Sequence, residues 1–142
     1  MRYLAMIYRR EIVRACLFAV CFFALAASFS FSQDKPTSLA EARAAVEANL
    51  RSSEGKAYDE QIGTEFQQTY LATLRECKKS SGGDATSFWI LMKLEKTGAV
   101  REVLLSPATK LGSCAREALL KGTFSSPPKP GHWVSIYLKL GH

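Results

Sequence analysis

The chain has 142 residues, enough for one domain or one domain with a tail, and too few for a large multidomain enzyme. Hydrophobic residues make up 47% and charged residues 23%, an ordinary globular balance that excludes disorder and collagen-like repeats. The formal charge of +6 suggests nucleic acid, but half of it comes from Arg2, Arg9, Arg10 and Arg14 against Glu11, and no basic stripe remains beyond them to hold phosphates.

The first segment reads as an address. Met1–Arg14 is basic, Ala15–Phe31 carries no charge, and small residues close the run at Ala24, Ala26, Ala27, Ser28, Ser30 and Ser32. This layout predicts a secretory signal peptide over residues 1–32, cut ahead of Gln33, and a periplasmic or secreted protein. The alternative is an uncleaved inner-membrane anchor, for which the run is shorter than the ~20 apolar residues that span a bilayer core. A lipoprotein reading through Cys21 meets Val20 where a lipobox has Gly or Ala.

Thr37–Ser53 opens with a capping-box pattern, Ser38 and Glu41, and repeats Leu39, Ala42, Val46 and Leu50 on one face. The thin apolar stripe predicts a peripheral helix, broken at Ser52–Gly55. Tyr58–Lys79 is the second helical stretch, with Ile62, Phe66, Tyr70, Leu74 and Cys77 in helical rhythm. Gly63 costs about 1 kcal/mol against Ala, which moves the expected start toward Thr64.

Ser87–Glu95 changes to strict alternation: Phe88, Ile90, Met92 and Leu94 face one way, Trp89, Leu91, Lys93 and Glu95 the other. Lys96–Ala99 is a Gly-containing turn and Val100–Ser106 returns, which predicts a β-hairpin. Val100 and Val103 share a face only if a bulge lies near Arg101–Glu102. Lys110–Lys121 carries Leu111, Cys114, Ala115, Ala118 and Leu119 on one helical face. After Pro127, Pro128 and Pro130, His132–Leu140 alternates again, with Trp133, Ser135, Tyr137 and Lys139 opposite Val134, Ile136, Leu138 and Leu140.

Helix, helix, hairpin, helix, strand predicts an α+β fold: a three-stranded antiparallel or mixed sheet packed against helices, in the order second, first, third strand. Cys16 and Cys21 leave with the signal peptide. Cys77 and Cys114 remain, and an even pair in an oxidising compartment predicts a disulfide. Two buried thiols are the other reading. Zinc lacks ligands, because neither His132 nor His142 stands at ligand spacing from either Cys. No metal or cofactor is expected.

FWILMKLEKTGAVREVLL, then a helix containing SCAREAL, then Phe-x-x-Pro-Pro and an alternating last strand together resemble the C-terminal domain shared by TonB-like and TolA-like proteins. The likeness covers roughly residues 62–140. The Cys77 and Cys114 positions are similar to the cysteine pair in the TonB-like domains of some motility-associated envelope proteins. On this reading the chain divides into 1–32, signal peptide; 33–57, an N-terminal helix or linker; and 58–142, a TonB/TolA-like C-terminal domain. Family members bind partners in the periplasm, and TonB receives a receptor peptide along its last strand. An energy transducer also needs a long Pro-rich spacer. Here Pro36 is the only proline between the apolar run and the domain, so the resemblance implies the fold and a binding role.

No catalytic arrangement stands out. Ser125 and Ser126 lie near His132 without a nucleophile elbow, and His132 reads as a surface histidine at the start of a strand. Asp59 and Glu60 suit a helix N-terminus. Glu95 and Glu102 across the hairpin read as solvated strand edges. The expected function is therefore a non-enzymatic envelope module that binds a partner peptide or protein by strand addition. The contact residues are Trp133, Val134, Ser135, Ile136, Tyr137 and Leu138. Neither nucleic acid nor, if the leader is removed, membrane is an expected partner. Trp89, Trp133 and Tyr137 either pack under a helix or form a partner-binding face. The alternative function is a small secreted enzyme or inhibitor without a recognisable motif.

Overall fold

The computed structural model describes residues 37–140. The expected leader at 1–32 and His142 lie outside the described residues. Six elements follow in chain order: α1 (Leu39–Asn49), α2 (Ser53–Ser80), β1 (Phe88–Leu94), β2 (Val100–Ser106), α3 (Lys110–Leu119) and β3 (His132–Leu138). The protein is α+β, with a three-stranded sheet ordered β2-β1-β3 and both neighbouring pairs antiparallel.

The helices start where side chains satisfy the orphan amides of a first turn. Ser38 accepts from the Glu41 amide while Glu41 reaches back to the Ser38 N–H, the full capping box. Ser52 caps α2 by accepting from the Gly55 amide, and Thr109 caps α3 through Gly112. The second cap corrects the expected break: Ser52–Gly55 starts α2 rather than separating it from α1. Helix α2 also runs straight through Gly63 instead of starting at Thr64. The cap and the burial of Tyr58 and Ile62 ahead of Gly63 outweigh its weak propensity. Helix α2 therefore crosses the 57/58 boundary, and residues from Thr37 onward form one compact unit.

The hairpin shows why Val100 and Val103 share a face. Leu94 pairs with Val100 and Lys93 with Glu102, so Arg101 is the extra residue of a bulge. Gly98 in the turn has φ +84°, and a Cβ there would run into the Phe124 carbonyl.

Alternation gives the sheet two apolar faces. On one, Phe88, Ile90, Met92, Leu94, Val103 and Val134 pack under Ile62, Phe66 and Tyr70 of α2 and Leu111 and Leu119 of α3. The Cys77–Cys114 disulfide ties these two helices together, with Cα atoms 5.6 Å apart. On the other face, α1 lays Ala42 and Val46 over Leu91 and Trp133. Its stripe is thin, as expected, but the helix is not peripheral: it covers a sheet face. Thr37 donates its amide and hydroxyl to Glu102 on β2, and Asn49 reaches β3, so α1 crosses from one edge strand to the other.

Candidate functional site

Strand β3 pairs on one side only, and the register decides which of its backbone groups are free. His132, Val134, Ile136 and Leu138 stand opposite Leu94, Met92, Ile90 and Phe88. In an antiparallel pair, residues alternate between exchanging hydrogen bonds with the neighbour and pointing away from it. The outward set is marked by its contacts. Asn49 Nδ2 donates to the Trp133 carbonyl at 2.8 Å, and the Asp59 carboxyl faces the Ser135 amide. The odd-numbered residues Trp133, Ser135 and Tyr137 therefore carry the outer edge.

The first half of that edge is already occupied by the protein itself. Asn49 ends α1 and Asp59 stands in the first turns of α2, so the α1–α2 corner closes over Trp133 and Ser135. Burial pushes the Asp59 carboxyl above its ordinary range, the Ser135 amide pulls it back, and Glu60 adds to the rise. The second half, at Tyr137, carries no such cover among the hydrogen bonds of the described residues.

The six side chains expected at a partner interface divide accordingly. Trp133 is 5% exposed and belongs to the cluster under α1, so its ring cannot meet an incoming strand as expected. Val134 is fully buried in the opposite core. Ser135, Ile136 and Leu138 are half-buried. Tyr137 is 48% exposed and pairs with Trp89, 42% exposed, at a ring-centroid distance of 4.8 Å. Of the three outward aromatics, one packs under a helix and two remain exposed. Beside the open pair runs a groove of about 370 Å³ between α1 and the sheet, with Val46, Leu50 and Leu91 as its apolar wall and Arg43 and Glu47 on its rim.

The other residues considered for chemistry are engaged elsewhere. Glu102 holds Thr37, and Glu95 lies 3.6 Å from Arg101. Ser125 donates its hydroxyl and its amide to Glu65, and its carbonyl accepts from the Tyr58 hydroxyl at 2.6 Å. Burial works to raise the Glu65 carboxyl, but Ser125 and Gln61 outweigh it and hold the group below the usual carboxylate range. His132 is 2% exposed, its ring edge-on to Tyr58 at 5.1 Å, so it is not a surface histidine. The contribution that sequence reasoning missed is the α1–α2 corner. Its one signal was Asn49, a polar residue on the same helical stripe as Ala42 and Val46.

No family model, curated protein or solved structure matches this chain.

Proposed function

We propose that this is a non-enzymatic binding module of the cell envelope, of TonB/TolA-like fold, which takes an extended segment of a partner protein beside the open half of β3. The observation that carries the reading is the exposed Trp89–Tyr137 pair, its rings tilted against each other at the uncovered end of an edge strand. Unpaired strand edges accept further strands through main-chain hydrogen bonds, and neighbouring side chains select the sequence. Aromatic residues are the commonest anchors of such contacts. The corner at Asn49 and Asp59 limits the accepting stretch to Ile136–Leu138 and the residues just beyond it, which is shorter than the alternation alone suggests. The groove beside Trp89 gives one large side chain of the incoming strand a place to go.

Export through the leader at residues 1–32 belongs to this proposal. Among the described residues no helix is long and apolar enough to cross a membrane.

The test is a display selection of extended peptides against the full chain, followed by affinity measurement. Tyr137→Ala is expected to weaken a selected peptide by at least about tenfold, about 1.4 kcal/mol, with the unfolding midpoint unchanged. Leu71→Ala, an equally exposed apolar change on α2, is expected to leave affinity alone. Equal affinities for the wild-type chain and Tyr137→Ala would remove β3 as the site.

A further inference from the structure

His132 opens β3 at the point where the strand is held hardest. Among the described residues neither of its ring nitrogens has a hydrogen-bond partner, although the side chain is 2% exposed. A neutral imidazole carries one N–H donor and one lone pair, and both are unpaired here. The residues around it come from every neighbouring element. Tyr58 of α2 meets the ring edge-on and fastens Ser125 upstream of the strand. Asn49 of α1 holds the next residue, Trp133, and Asp59 faces Ser135. Leu94, its partner on β1, is apolar and fully buried.

We propose that His132 is an acid-sensitive latch: a second proton on its ring releases the first half of β3 from the α1–α2 corner and extends the open edge from Tyr137 back to Trp133. The proposal rests on the edge-binding reading above and adds its regulation. A proton placed on this ring finds no acceptor and puts a charge into an apolar seat. Burial, with Lys129 as a nearby like charge, holds the imidazole below its ordinary value, and Glu54 only partly offsets them.

The direction in pH follows from that. A released His132 takes up its proton near the ordinary 6.5, whereas the seated ring does so only at lower pH. The hold is complete above that value and weakens as pH falls below it. The other titratable groups of the corner do not reverse this. Asp59 is raised by burial, so acid eases its seat rather than loosening it. Glu65 is held charged by Ser125, and burial together with Glu65 keeps the Tyr58 hydroxyl protonated. Release can stay local, because the far end of α2 is tied to α3 by the Cys77–Cys114 bond.

The experiment is amide exchange on the full chain between pH 7.5 and pH 5 (~2.5 units, about the reach of one shifted group), corrected for intrinsic rates. It compares the wild-type chain with His132→Phe, which leaves His142 in place. Protection of the Ser135 amide is expected to fall about tenfold or more relative to the Met92 amide in the wild-type chain, and to stay level in His132→Phe. An equal fall in both chains overturns the latch, and so does no fall in the wild-type chain. Should the Phe variant not fold, the imidazole signals of the wild-type chain decide: a His132 ring that titrates at or above 6.5 overturns it, and one that titrates well below supports it. None of these readouts uses a peptide, so failure of peptide binding with the exchange pattern intact would sink the binding reading alone.

Discussion

The two faces of the sheet start from the same alternation and end in different states. On the inner face Phe88, Ile90, Met92 and Leu94 are all fully buried beneath two helices that a disulfide joins. On the outer face the residues between them meet one short helix. Leu91 and Trp133 are sealed by Ala42 and Val46, while Trp89 and Tyr137 stay open. The difference comes from length and side-chain size. Helix α2 has 28 residues with large apolar anchors on its buried stripe, whereas α1 has 11 and buries only Ala42, Val46 and Asn49. A helix of that reach covers one diagonal of a sheet and leaves a corner. A face that is completely filled stabilises the fold, and a face filled by half can both stabilise and bind.

The largest expected effect lies on the sealed face. Replacing Cys77 and Cys114 by Ser frees a loop of 37 residues in the unfolded chain, worth about 4 kcal/mol in the chain-entropy account. That is a large share of the ~5–15 kcal/mol of a typical domain. Urea unfolding of the oxidised wild-type chain and the double variant measures it. A difference below about 1 kcal/mol would mean that α2 and α3 hold together without the bond, and that the inner face owes its rigidity to packing alone.

Adjacent residues on opposite faces sharpen the contrast. Ile90 and Leu91 are both almost completely buried, at 0% and 1% exposure. Ile90→Ala is expected to cost about 4 kcal/mol, because the inner face cannot collapse onto the cavity. Leu91→Ala is expected to cost about 2 kcal/mol, since the small side chains of α1 let that helix settle onto the shorter residue. Equal losses in urea unfolding would show that the outer face is as tightly fixed as the inner one.

Most of the scaffold was legible in the sequence because each element carries its own local signal. The helix cap at Ser38, alternation from Phe88 and a bulge near Arg101 are short-range features, and the pairing order followed from where one apolar face must go. The site was legible only in part. Alternation put Trp89, Trp133 and Tyr137 on one side but could not say how far α1 reaches across it. That depends on the direction in which α1 leaves Thr37, which is set by the long-range bond to Glu102. His132 read as an exposed strand-leading residue, because nothing local shows that Tyr58, 74 positions earlier, will lie over it. Polar side chains that cover a strand edge follow no periodicity, so Asp59 had no pattern to be found by, and Asn49 showed only as a polar residue on the stripe of Ala42 and Val46.

Asn49 gives the smallest and most specific prediction, because it joins the covered half of the outer face to the edge of β3. It is 6% exposed, and its Nδ2 supplies the hydrogen bond of the Trp133 carbonyl. Asn49→Ala leaves that carbonyl without its donor, a loss of about 1–2 kcal/mol, while the better helix propensity of Ala returns about half a kcal/mol. A net loss near 1 kcal/mol is expected in urea unfolding. Asn49→Asp keeps the shape and is the sharper change. An ionised carboxylate cannot donate and sets its charge against the carbonyl oxygen, so the loss at neutral pH should exceed that of Ala. Protonation restores one O–H donor. The folded-state pKa of the new carboxyl is therefore raised, and the stability of this variant relative to wild type should recover as pH falls toward and below the carboxylate range. If Asn49→Asp is no less stable than Asn49→Ala at neutral pH, the side chain is not holding the strand through that bond, and the edge of β3 at Trp133 is open in the resting protein.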